Sequence, residues 1–116
     1  MAQVNPRHVD AVMELINRSP YFELLGIRLT ALSEGACTAE AVLERKHLNA
    51  FGGAHGGAYA SLLDCGAYWA LYCSLDEDEG FTTVDLNASN LRASGPGPVV
   101  VEGRVVKRGR TMCLCE

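Results

Sequence analysis

Four glycines fall among six consecutive residues, Gly52, Gly53, Ala54, His55, Gly56 and Gly57, with His47 and Asn49 just before them and an apolar stretch running on to Leu75. A loop of this kind lets backbone come close to a ligand and leaves N–H groups free to donate. Gly56 and Gly57 at a helix start would add further amides and the positive end of a dipole, a donor set suited to an oxygen that becomes negative during a reaction. Asp64 is the only charged residue between Gly57 and Leu75. A carboxylate inside an apolar helix is costly to bury, so it needs a partner or a chemical task. The residues alone leave open whether Asp64 is a reactive group or a hydrogen-bonded structural one.

These groups must be held by the elements around them. Residues 57–75 are apolar on nearly all sides and predict a helix wrapped by other structure. Upstream, Val9, Val12, Met13 and Ile16 recur at helical spacing, which predicts a short amphipathic helix ending before Pro20. Residues 24–32 and 36–45 read as strands of an antiparallel hairpin turning at Ser33, Glu34 and Gly35; Cys37, Ala39, Ala41 and Leu43 alternate with polar residues on the second. Downstream, the acidic residues 76–80 read as a solvated turn. Three strand-like runs follow: one where Val84, Leu86 and Ala88 oppose Thr83, Asp85, Asn87 and Ser89, then residues 99–107, then residues 111–115, separated by Gly- and Pro-rich or basic turns. Strands curling around one helix are the simplest way to bury it, so the expected class is α+β.

The chain has 116 residues, room for one core, and the expectation is a single domain over residues 1–116 with residues 1–20 as a helical flank. A net charge of -4 without a basic cluster argues against nucleic acid as a partner. Five cysteines in apolar runs, odd in number and lacking Cys-x-x-Cys spacing, read as reduced core thiols of a cytoplasmic protein. Residues 1–7 carry no basic start followed by an apolar run, so no signal peptide is expected. The segment 57–75 approaches the length of a membrane span, but Asp64 near its middle speaks against one. His47 and His55 lack a Cys or acidic partner set for zinc, and no metal is expected.

The pattern His47-x-Asn49-x-x-Gly52-x-x-His55-Gly56-Gly57, then Leu62 and Asp64, then Thr82-Thr83-Val84-Asp85-Leu86-Asn87 and the turn Lys107-Arg108-Gly109-Arg110, resembles the hotdog-fold acyl-CoA thioesterases of the phenylacetic-acid-degradation type. The resemblance covers nearly the whole chain. It implies an antiparallel sheet wrapped around one long central helix, and hydrolysis of acyl-CoA to free acid and coenzyme A with no further cofactor. It also implies a homodimer or a dimer of dimers, hence a homotetramer. Relatives carry a further strand beside the one that Thr83 begins; this sequence reaches Glu116 without it, so the last family strand is expected to be missing.

On that resemblance Asp64 is expected to act as general base or nucleophile, with the Gly57 N–H as oxyanion donor and Gly56 beside it. Gly57 and Asp64 are seven residues apart, roughly 10 Å along a helix at about 1.5 Å per residue. That is too far for both to act on one carbonyl carbon, so the site is expected to be shared across a two-fold axis. Asn49 would orient water or the thioester, His55 would brace the loop or polarise the carbonyl, and Thr83 would assist near Asp64. Arg92, Arg108 and Arg110 are candidates for the phosphates of coenzyme A. Blander readings stand beside these: Asn49 as a turn former, His55 as a loop residue, Arg108 and Arg110 as a solvated loop tip. A non-enzymatic acyl-CoA-binding module and a hotdog dehydratase are the alternative functions.

Overall fold

A computed structural model describes residues 5–76 and 78–116. The first four residues, read above as lacking a leader, and Glu77 of the acidic turn lie outside the described residues.

Helix α1, Pro6–Asn17, is capped by the Asn5 side chain accepting from the Arg7 N–H and turns Val9, Val12, Met13 and Ile16 toward the core. The strand expected from residue 24 begins later, because Pro20–Leu25 forms a second helix, α2. Pro20 opens it, where a missing N–H costs nothing, and Gly26 closes it at φ +70°, a left-handed conformation that suits glycine. Strands β1, Ile27–Ser33, and β2, Ala36–Leu43, form the expected hairpin around Glu34 and Gly35. A 3-10 turn, Arg45–His47, leads through the glycine loop into α3, Gly56–Tyr72. Strand β3, Gly97–Arg108, and β4, Cys113–Cys115, complete an antiparallel sheet of order β1-β2-β3-β4. Among the described residues no helix is long and apolar enough to cross a membrane.

Residues 81–94 depart from the expected strand. Their alternation of apolar and polar side chains is real, but a strand is a paired object, and no described strand lies against them. They run instead as a strap across α3: Phe81 stacks on Tyr68 with ring centroids 4.2 Å apart, Ser94 hydrogen-bonds Tyr59, and the Ser94 carbonyl accepts the Ala54 N–H at 2.7 Å.

The sheet packs on α3 through small residues. Cys37, Ala39, Ala41 and Leu43 are buried along one face of β2, and in register opposite them stand Gly103, Val101, Val99 and Gly97 of β3. Over the Cys37–Gly103 pair sits Gly66 of α3, whose carbonyl accepts from the Cys37 thiol at 2.9 Å. A methyl group at Gly103 would land on that carbonyl oxygen. Of the five free thiols, Cys37, Cys65 and Cys73 are core residues as expected, whereas Cys113 and Cys115 on the edge strand are only half-buried.

Two side chains fasten the margins. Asn17 accepts from the Leu29 N–H at 2.7 Å and donates to the Leu29 carbonyl at 3.0 Å, at the bulge where β1 slips register between Leu29 and Ala31. Arg108 donates to the Ser74 carbonyl and to Glu79, 2.9 Å away, tying β3 to the acidic turn after α3. The Asp76 N–H and then the Arg108 guanidinium hold the Glu79 carboxyl below its ordinary value of 4.5.

Gly103→Ala is expected to destabilise the fold by about 3 kcal/mol, the upper range for overpacking, because the obstacle is backbone and cannot rotate away; urea unfolding measures it. Glu79 contributes stability while ionised, since its folded pKa is the lower one, and that contribution is lost as pH falls through it. The stability difference between wild type and Glu79→Gln should therefore be largest near neutrality and close as pH drops below about 4.5, in unfolding curves taken across pH.

Candidate active site

The loop before α3 is rigid because its polar side chains are spent on its own backbone. His47, 4% exposed, accepts the Glu44 N–H at Nδ1 (2.8 Å) and bonds the Leu25 carbonyl through Nε2 (2.6 Å). A carbonyl only accepts, so the proton is on Nε2 and the ring is neutral. The His47 carbonyl takes the His55 N–H at 2.8 Å. Asn49 Oδ1 accepts from the N–H groups of Phe51 (2.9 Å) and Gly53 (3.1 Å) and shapes the turn. The turn-forming reading of Asn49 is thus what its oxygen does; its amide N–H groups have no acceptor among the described residues.

His55 is the N-cap of α3. Its Nδ1 accepts the Gly57 N–H at 2.8 Å, which leaves Nε2–H as the ring's donor. The Gly57 N–H, expected as the oxyanion donor, thus already has an acceptor within the loop. The preceding amide, of exposed Gly56, has no acceptor among the described residues and stands at the positive end of the helix. Which of two adjacent glycines stays open depends on the His55 rotamer, a detail the motif does not carry.

Asp64 lies two turns further along α3, half-buried, and its Oδ1 accepts the Thr83 hydroxyl at 2.9 Å. The strap brings these two residues together across nineteen positions of sequence. The second carboxylate oxygen has no partner among the described residues, so it remains available to a water or a carbonyl carbon.

Of the three arginines, Arg108 is engaged within the chain. Its guanidinium donates to Ser74, Gly109 and Glu79, which makes it a clamp between β3 and the acidic turn. Arg92 and Arg110 are exposed and lack an acidic partner among the described residues. His47 has a structural part, as a buried support of the loop. Its buried, doubly bonded ring could have been anticipated only from the apolar neighbours on both sides of the loop.

The sequence pattern of the Thioesterase superfamily matches residues 51–116, more than half the chain and all of the glycine loop after its first turn. The chain belongs to that superfamily. It is 32% identical over 106 residues to human acyl-coenzyme A thioesterase 13, a stretch covering 89% of this chain and 75% of that protein. A phenylacetic acid degradation-related protein from Ralstonia eutropha JMP134 superposes with a TM-score of 0.78 at 25% identity, over 90% of this chain and 83% of that one. A thioesterase family protein from Silicibacter pomeroyi superposes at 0.83 over 90% and 76% of the two chains; at 24% identity it bears on the fold alone. Superfamily membership makes the chain a thioester hydrolase with a hotdog fold, four antiparallel strands against one long helix.

His55→Ala is expected to cost about 1 kcal/mol of stability through loss of the cap, and His55→Asp, which keeps an acceptor at that position, should recover most of it. Thermal unfolding of the two variants beside wild type is the measurement.

Proposed function

We propose that the chain hydrolyses acyl-CoA thioesters, aryl or of short to medium length, to free acid and coenzyme A. The observation that carries the reading is the Asp64–Thr83 pair, a carboxylate fixed by one hydroxyl with its other oxygen open. A hydroxyl donating to Oδ1 orients the carboxylate. The open oxygen then either takes a proton from water as that water attacks the thioester carbon, or attacks the carbon itself. The carbonyl oxygen, as it becomes negative, is met by the Gly56 N–H and the α3 dipole. Collapse of the tetrahedral species expels the thiolate of coenzyme A. On the base route the proton held by Asp64 returns to that thiolate; on the nucleophile route the thiolate takes a proton from solvent and water then cleaves the acyl–Asp64 anhydride, releasing the acid and restoring the carboxylate.

Gly56 and Asp64 are eight residues apart, roughly 12 Å along one helix at about 1.5 Å per residue. One carbonyl cannot reach both. A homodimer in which Asp64 of one subunit faces the helix start of its partner resolves this and gives two sites, with a dimer of dimers as the larger assembly. Human acyl-coenzyme A thioesterase 13, by its name an acyl-CoA hydrolase, supports coenzyme A as the carrier. Arg92 and Arg110, which have no acidic partner among the described residues, are the candidates for its phosphates. Five unpaired thiols support a reducing, cytoplasmic setting.

Asp64→Asn should lower kcat by about 10²–10⁴-fold, the range for loss of a general base, and Thr83→Ala by roughly tenfold, the worth of one hydrogen bond to a charged group. Thiol release from acyl-CoA thioesters gives the rates, and circular dichroism shows that the variants are folded. Undiminished turnover in Asp64→Asn would remove the assignment.

A further inference from the structure

Between α2 and the first two turns of α3 lies a cleft of about 240 Å³. Tyr21 and Leu25 of α2 and Ala58 and Ser61 of α3 line it, together with Lys46 and His47 of the 3-10 turn, and His55 and Gly57 at the start of α3 bring it next to the open Gly56 amide. The Tyr21 and Ser61 oxygens are 2.6 Å apart, and Ser61 donates to the Gly57 carbonyl at 3.0 Å, so the proton between the two hydroxyls belongs to Tyr21. This bond ties α2 to α3 across the cleft.

Leu25, His47 and Ala58 have a second surface. The same three residues border a packed apolar region completed by Ile27, Leu43 and Leu62, in which there is no room for a water molecule. They are therefore a partition, with the cleft on one side and tight core on the other. The His47 ring cannot swing aside without giving up both its hydrogen bonds, so the partition is stiff.

A thioester whose carbonyl oxygen rests on the Gly56 amide has two arms to place. The coenzyme A arm is long, polar and phosphorylated, and must lead out to solvent. The acyl arm is the one that can end against an apolar wall. The cleft exceeds the roughly 150 Å³ cavity known to take a benzene molecule, so it has room for one ring or a chain of similar bulk.

We propose that this cleft receives the acyl group and that the wall of Leu25, His47 and Ala58 sets its upper size, selecting single-ring and short acyl thioesters over long fatty acyl ones. The proposal rests on the thioesterase reading above and adds the residues that decide its substrate.

The test pairs binding with turnover. Affinities of S-(2-oxoalkyl)-coenzyme A analogues, which keep a carbonyl but cannot be hydrolysed, are measured by calorimetry from methyl to decyl and for a phenyl derivative. Hydrolysis of the matching acyl-CoA series is followed in parallel. Wild type should bind the hexyl and phenyl analogues best and the decyl analogue about tenfold more weakly, in line with the discrimination small apolar pockets achieve. Ala58→Leu, which fills the cleft, should cut the hexyl-to-methyl affinity ratio about tenfold; Leu25→Ala, which opens the wall, should relieve the penalty on decyl. A flat length profile in wild type, or one that neither variant shifts, overturns the proposal. Length-dependent binding without hydrolysis supports the cleft and overturns the enzymatic reading, whereas hydrolysis with a length profile indifferent to both variants does the reverse.

Discussion

The molecule depends on how closely α3 lies on the sheet at one point. Gly66 meets Gly103 backbone to backbone, and the Cys37 thiol fills the remaining space by donating to the Gly66 carbonyl. Burial pushes the Cys37 thiol up to about 11, which keeps its proton in place and the donor intact. At 3.6 residues per turn, two positions along a helix are about 200° apart. Seating Gly66 against the sheet therefore turns Asp64 to the opposite side, where the strap of residues 81–94 crosses and Thr83 meets it. The orientation of the carboxylate is set by a contact between glycines on the far face of its helix.

The start of that helix is governed by a different economy. His47, Asn49 and His55 each use a side-chain acceptor to hold a backbone N–H of the loop. Donors that would otherwise turn to water are consumed in fixing the loop's shape, and the amide of Gly56 is the one presented outward at the helix end. A donor that needs no reorganisation when charge develops is worth more than several mobile ones.

How far this could be read beforehand varied with the range of the interaction. The inward alternation of Cys37, Ala39, Ala41 and Leu43, the apolar α3 and its lone carboxylate are local patterns, and they appear where sequence places them. Helix α2 was legible in part: Ser19-Pro20 and Gly26 are boundary residues, but Leu24 and Leu25 run into the apolar pattern of β1 and hide them. Val84, Leu86 and their polar alternates describe what a strand would look like without supplying a strand to pair with. Arg108 finds Glu79 twenty-nine positions away, and the choice between the Gly56 and Gly57 amides turns on one imidazole rotamer. Neither leaves a trace in local spacing.

Asn17 bears on how such a sheet can grow. By presenting an amide to both polar groups of Leu29 it imitates a neighbouring strand for one residue, and it does so where the bulge already bends β1 out of line. An edge that is both occupied and bent is a poor template for another chain. Lateral addition is thereby disfavoured at this part of β1, and a chain of this kind is protected there from the open-ended stacking that an unobstructed edge would permit.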